Sequence, residues 1–278
     1  MYNNTNLTNN FYTPQPSQKA LIKRDMSKVS SGLMLAYLII TVISSIFSII
    51  NLDSFLDLTS SSSTLMLYVL NGIALTISLP IGAYYICHSS GSSLSNVIII
   101  KKIGFKNTAL YVSAGLGICM FANFLVEFFS IIGMIFGVDI ASGTPQDFYY
   151  GNSPVYFFLT LLSISIVPAF VEEFIFRGAI LGILRKHGDG FAIIMSSLLF
   201  GLLHGNFVQT PFAFLVGLAL AYLTVCTGSM VPSMIVHFVN NAISVVFSVS
   251  VGVSVSDRVS LSIIAVSSLL VATNLIEI

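Results

Sequence analysis

Two carboxylates and one guanidinium lie within a long apolar run, in the segment Val171-Glu-Glu-Phe-Ile-Phe-Arg-Gly178. Ionised side chains are costly at membrane depth, so such a cluster usually marks a functional site. On a helix, Glu173 and Arg177 share a face and can pair, whereas Glu172 points about 100° away. The pattern therefore predicts one carboxylate tied to arginine and one free to react. A structural ion pair that clamps two helices explains the same charges equally well.

The composition indicates a polytopic membrane protein. The 278 residues are 55% hydrophobic and 8% charged, with a net charge of zero. This excludes an ordinary soluble domain, and the zero net charge suggests no nucleic-acid partner. The three cysteines are scattered in or beside apolar runs, which is typical of packing residues rather than of a disulfide framework. The N-terminus is polar, so we expect no cleavable signal peptide.

The apolar runs predict an all-α transmembrane helical bundle. Residues 1–30 are rich in Asn, Thr and Gln and carry four basic side chains, so we expect a disordered basic tail. The rest of the chain, residues 31–278, is expected to form a single transmembrane domain of about eight spanning helices, or seven if the two short runs count as one. The predicted spans are 32–51, 64–87, 108–137, 154–184, 190–205, 211–227, 231–250 and 259–276.

Lysine and arginine are distributed unequally between the predicted loops. One side carries the basic tail, Lys101, Lys102, Lys106 and Arg185-Lys186. The other side carries Arg258 and four aspartates: Asp53, Asp57, Asp139 and Asp147. Because cytoplasmic loops are enriched in basic residues, this asymmetry predicts an integral protein of the cell membrane with both termini in the cytosol.

Two later spans carry further polar side chains. His204 lies four residues after Phe200, and Asn241 lies four residues after His237, so each pair shares a helix face. Asn240 is expected to be rotated away, and Glu127 is interpreted as interfacial or structural. From the helical rise, Glu172, His204, His237 and Asn241 lie roughly 14–22 Å from the cytosolic ends of their spans. They could therefore meet in one cavity, although either histidine alone is also explained as a satisfied buried imidazole.

This set of side chains suits hydrolysis of a peptide bond without a covalent nucleophile. A carboxylate in apolar surroundings can serve as a general base near neutral pH. One imidazole can hold the attacking water, while a second imidazole and an amide N–H can donate to the developing oxyanion. The sequence contains no His-Glu-x-x-His, Gly-x-Ser-x-Gly or Gly-x-Gly-Asp motif of other intramembrane proteases.

The three motifs Glu172-Glu173-x-x-x-Arg177, Phe200-x-x-x-His204 and His237-x-x-x-Asn241 resemble, in order and spacing, those of the CPBP family. That family comprises type II CAAX prenyl endopeptidases and bacteriocin-processing or self-immunity proteins. The resemblance covers residues 154–250 and implies an intramembrane endopeptidase that acts on a peptide or protein substrate, with or without a lipid modification. It also implies the residue roles: Glu172 activates water, His204 positions it, and His237 with Asn241 stabilises the oxyanion. Glu173 and Arg177 become supporting residues.

The sequence leaves alternatives for cofactor and function. We expect no required cofactor, but Glu172, His204 and His237 could instead bind zinc as three ligands from separate helices. Asn241 fits oxyanion donation better than zinc ligation. The alternative function is a non-catalytic membrane self-immunity protein that binds a peptide or partner, since some family members have no demonstrated protease activity. An ion-coupled transporter is a third interpretation, but no internal repeat supports it.

Overall fold

The computed structural model describes residues 16–50, 60–137, 153–206 and 209–249, and within these ranges the chain is all-α with no strand. The predicted fold class is therefore confirmed. The helices are α1 (Gln18–Ile50), α2 (Ser60–Ser89), α3 (Leu94–Val97), α4 (Phe105–Ile135), α5 (Pro154–His187), α6 (Asp189–Leu203), α7 (Gln209–Thr227) and α8 (Val231–Val249).

The first seven predicted spans each correspond to a helix. In the described part of the chain, five helices are long and apolar enough to cross a membrane: α1, α2, α4, α5 and α7. Helix α6 is apolar but shorter, and the apolar part of α8 that is described with its side chains runs over Val231–Val246. That α6 and α8 also cross the membrane stays a prediction. With 15 residues, α6 is about 22 Å long, which is less than the roughly 30 Å of a hydrocarbon core. The eighth predicted span, 259–276, lies outside the described residues.

Helix α1 begins at Gln18, so the predicted disordered tail is wrong over residues 18–30. The reason is a long-range contact: the fully buried Asp25 lies 2.9 Å from Lys186 Nζ and 2.8 Å from His187 Nε2 at the end of α5. The start of α1 and the end of α5 are therefore at the same end of the bundle, as the distribution of basic residues predicted. Which face of the membrane this end occupies stays a prediction.

Helix α5 is an irregular helix at the centre of the packing, in contact with α2, α6 and α8. It contains two π-helical segments, Leu162–Ile166 and Phe174–Ile180, and it ends in a 3₁₀ turn at Arg185–His187. Such insertions of wider turns into α-helices occur frequently at functional sites. At Gly188 the backbone has φ +111°, a conformation suited to glycine, and the chain turns into α6 there.

Two apolar clusters hold the helices together. The larger cluster joins α1, α2, α5 and α6 with part of α7, and the smaller one joins α4, α7 and α8. Helices α6 and α7 approach closely at Gly217, where an added Cβ would lie 3.1 Å from Ser197 Cβ and 3.2 Å from Phe200 Cδ1. A small residue at such a crossing allows two membrane helices to approach each other. The crossing brings the Phe200 ring of α6 and the backbone of α7 against the acidic segment of α5.

Candidate active site

The acidic motif of α5 forms a buried ion pair. Arg177 Nη1 lies 3.0 Å from Glu173 Oε1, and both side chains are almost completely buried. The arginine also donates a hydrogen bond from Nη2 to the carbonyl oxygen of Gly217, at 3.2 Å. The i, i+4 pairing that the sequence predicted is therefore present, and α7 supplies a further acceptor for the guanidinium.

His237 of α8 lies between the two glutamates. Its Nδ1–H donates to Glu173 Oε1 at 2.9 Å, and its Nε2 lies 3.8 Å from Glu172 Oε2. Glu173 thus has two cationic or hydrogen-bonding partners, Arg177 and His237, whereas the approach to Glu172 is longer than a hydrogen bond. Sequence spacing indicated only the arginine, because contacts between α5 and α8 leave no signal in the local pattern.

The ring of Phe200 connects the three motifs. The guanidinium carbon of Arg177 lies 4.5 Å from the ring centroid. The imidazoles of His204 and His237 pack edge-on against the same ring, with centroids at 5.1 and 5.7 Å. Phe200 is buried, so one aromatic ring covers the cation and separates the two histidines. The sequence indicated Phe200 only as the motif partner of His204.

His204 caps the C-terminal end of α6. Its Nδ1–H donates to the carbonyl oxygen of Phe200 at 2.9 Å, and because a carbonyl only accepts, this bond requires a hydrogen on Nδ1. Within the described residues His204 forms no ion pair with Glu172 or Glu173. The structure thus places His204 against the shared phenyl ring without direct contact to the acidic pair.

The two asparagines of α8 are linked to each other and to α5. Asn241 Nδ2 donates to the carbonyl oxygen of Ile164 at 3.2 Å, and Asn240 Nδ2 donates to Asn241 Oδ1 at 3.3 Å. Asn240 is only 4% exposed, so the expectation that it is rotated away is wrong. Its spacing of three residues from His237 was the signal that could have placed it on the same face. The side chain of Glu127 lies outside what the structure describes.

The candidate site contains glutamate and histidine side chains, which are common zinc ligands. Across the described ranges, no group of three or more His, Cys, Asp or Glu side chains could hold a metal ion. Glu172, His204 and His237 therefore do not form a preassembled set of zinc ligands in this structure. That activity requires no metal stays a prediction.

A comparison with known proteins finds a family match over the region that contains these residues. Residues 154–243 match the family of Rce1-like type II CAAX prenyl endopeptidases. This Rce1-like region runs from α5 into α8 and contains all three motifs, so the resemblance seen in the sequence is confirmed over it. No curated protein and no solved structure matches the chain. At the family level the match supports a CAAX-type intramembrane protease, and together with the five long apolar helices it indicates an integral membrane protein.

Proposed function

We propose that this chain is an intramembrane endopeptidase in which Glu172 activates a water molecule for attack on a peptide carbonyl. The observation that carries the proposal is the position of His237, which contacts Glu173 and approaches Glu172 inside the Rce1-like region. A buried imidazole between two carboxylates, one of them paired with arginine, provides an acid, a base and an orienting group in one place.

The two glutamates have different partners, which supports different roles. Glu173 Oε1 is within 3.0 Å of Arg177 and 2.9 Å of His237, so this carboxylate is engaged in orienting its neighbours. Among the described residues, Glu172 is approached by His237 Nε2 at 3.8 Å, which is longer than a hydrogen bond and leaves its lone pairs available to a water molecule. In the proposed reaction Glu172 takes the proton of the attacking water and passes it to the leaving amine.

A role for His237 as an oxyanion donor requires a hydrogen on both of its ring nitrogens. In that form Nδ1–H remains on Glu173, and Nε2–H is available to an oxyanion that develops near Glu172. Such a donor, placed in advance, stabilises the tetrahedral intermediate. The Nδ1 atom of His204 is engaged with the carbonyl of Phe200, so its Nε2 atom is the one that would contact the attacking water.

An apolar groove supports a substrate that carries a large apolar or lipid group. The groove has a volume of about 220 Å³ and lies beside the acidic motif, between α2, α5, the start of α8 and the segment after α3. It is lined by Pro80, Ile98, Ile100, Phe170, Val171, Phe174, Met230 and Met234. All of these side chains are apolar, so the groove offers burial and no charge. We propose that the substrate is a peptide whose apolar or prenylated part occupies this groove.

The experiment that tests the function is cleavage of a peptide library, with and without prenyl groups, by the purified protein in lipid vesicles, read by mass spectrometry. We expect defined products from the wild type and none from Glu172→Gln. Glu127→Gln, which changes a membrane glutamate outside the three motifs, is the matched control and should retain activity. If the wild type cuts no peptide, but the wild type and Glu172→Gln bind the same peptide of the library, the protein is a binding or self-immunity protein and the proposal fails.

A further inference from the structure

Asn241 is one member of a chain of hydrogen-bonded side-chain amides. Its Nδ2 group donates to the carbonyl oxygen of Ile164 on α5, and its Oδ1 accepts from Asn240 Nδ2. The family resemblance implies that Asn241 stabilises the oxyanion, a role that rests on the proposed function, so the direction in which its amide points determines whether it helps or hinders. An N–H stabilises an oxyanion, whereas the amide oxygen would repel it.

The direction of this chain is fixed by its far end. A backbone carbonyl has no hydrogen to donate, so Ile164 requires the NH₂ group of Asn241. The Oδ1 atom of Asn241 must then face Asn240, which in turn must present its own NH₂ group. The two assignments are mutually consistent, and reversing either amide would bring two acceptors together.

The sequence explains why the carbonyl oxygen of Ile164, at the end of this chain of amides, can accept a hydrogen bond from a side chain. In an α-helix the carbonyl of Ile164 would accept from the N–H of residue 168, but that residue is Pro168 and has no N–H. The helix is also π-helical over Leu162–Ile166, so its hydrogen-bonding pattern is already displaced. The carbonyl oxygen of Ile164 therefore lacks its α-helical donor, and it accepts a hydrogen bond from Asn241.

We propose that Asn240 is a positioning residue, which together with the Ile164 carbonyl holds the amide of Asn241 in the orientation that presents N–H to the reaction. Asn240 suits this role because it is 4% exposed, and its Oδ1 has no donor within the described residues that would turn it elsewhere. Without Asn240, the oxygen of Asn241 loses its donor and the amide is free to rotate. Both hydrogen bonds are near the long end of the usual range, so the expected effect is moderate, about tenfold.

The kinetic test replaces Asn240 by Leu, which keeps the volume and removes the amide, and by Ala. Both variants should lower kcat about tenfold with KM within about twofold, because the ground-state contacts are unchanged. The double variant Asn240→Ala with Asn241→Ala should be no slower than Asn241→Ala alone. Asn123→Ala is the matched control, since this half-buried amide of α4 donates only to Cys119 of its own helix, and it should leave kcat unchanged. Normal turnover in both Asn240 variants, or losses that multiply in the double variant, would overturn the proposal.

A measurement that does not require turnover separates this proposal from the proposed function. In protein labelled with ¹⁵N-asparagine, the side-chain NH₂ signals of Asn241 are those that Asn241→Ala removes. We expect Asn240→Leu to shift these signals and to accelerate their hydrogen exchange about tenfold, whereas Asn123→Ala leaves them unchanged. Unaltered Asn241 signals would refute the positioning role whatever the activity. Altered signals in a protein that cuts no peptide would support the positioning role and refute the endopeptidase function.

Discussion

Exchanging each glutamate for glutamine separates the two carboxylates by stability and by turnover. In Glu173→Gln, Arg177 keeps its buried position but loses the ion pair at 3.0 Å, and His237 loses a charged acceptor at 2.9 Å. Among the described residues, Glu172→Gln affects one close approach, that of His237 Nε2 at 3.8 Å. Although the two positions are adjacent in sequence, the two variants should therefore fail in different ways.

The magnitudes follow from burial. Removing one partner of a buried ion pair costs about 3–5 kcal/mol, and we expect the lower end because glutamine retains one oxygen that can accept. A loss of about 3 kcal/mol lowers the melting temperature of a chain of this size by about 6–12 °C. Glu172→Gln leaves the ion pair of Glu173 with Arg177 intact, so its stability should stay within about 1 kcal/mol of the wild type. Its turnover should fall by about 10²–10⁴-fold, the usual contribution of a general base.

The assay measures thermal unfolding in detergent and peptide cleavage per folded molecule on the same preparations. Glu173→Gln should melt early and keep turnover within about tenfold of the wild type at low temperature. Glu172→Gln should melt normally and be inactive. If Glu173→Gln is as stable as the wild type and inactive while Glu172→Gln still turns over, the assignment of base and supporting residue is reversed and our argument from partner distances is wrong.

Three further perturbations test other parts of the arrangement. Phe200→Leu should lower the free energy of unfolding by about 2 kcal/mol and should also lower turnover, because it removes the ring between the two imidazoles and the cation–π contact; thermal unfolding and cleavage rates check this. Asp25→Asn should loosen the start of α1 from the end of α5 with turnover retained, and limited proteolysis between residues 18 and 30 should become faster; unchanged proteolysis would contradict the anchoring role. Exhaustive chelation should leave activity unchanged, whereas stoichiometric zinc whose removal abolishes activity and whose return restores it would reassign Glu172, His204 and His237 as ligands.

The fold was predictable where a local property determines it. Runs of apolar residues located seven helices, because a chain in hydrocarbon must satisfy its backbone within each segment. The start of α1 was not predictable, since residues 18–30 are polar and basic and resemble a disordered tail. What orders them is Asp25, whose partners Lys186 and His187 lie far away in sequence. A contact of this kind becomes visible only once helices α1 and α5 are placed side by side.

The same division applies to the candidate site. The pairing of Glu173 with Arg177 was predictable because both lie on one helix at a spacing of four residues. The hydrogen bond from His237 to Glu173 and the shared ring of Phe200 depend on how α5, α6 and α8 cross, which composition and spacing do not encode. Asn240 follows His237 by three residues, and this spacing also brings a side chain to the same helix face, so the four-residue spacing alone does not identify it.

The short length of α6 bears on how water reaches the acidic pair. Helix α6 starts next to the basic end of α5 and is about 22 Å long, so we expect its last residue and the non-helical residues 204–206 to lie at membrane depth. Non-helical backbone at that depth is tolerated where it is buried in protein or lines a water-filled cavity. His204 is half-buried and located there, so we infer that the end of α6 borders the water supply of the reaction.

This inference predicts a difference in chemical accessibility between two residues of the same region. In a background without the three native cysteines, a cysteine that replaces His204 should react with a charged, water-soluble thiol reagent. A cysteine that replaces Leu202, which is 56% exposed and two residues away, should react only with a membrane-permeant reagent, because we expect that apolar side chain to face lipid. Equal protection of both cysteines from the charged reagent would show that no water reaches His204. The ring of Phe200 contacts both His204 and His237, so His204 lies next to the acidic pair. If no water reached His204, the water molecule that Glu172 is proposed to activate would be missing.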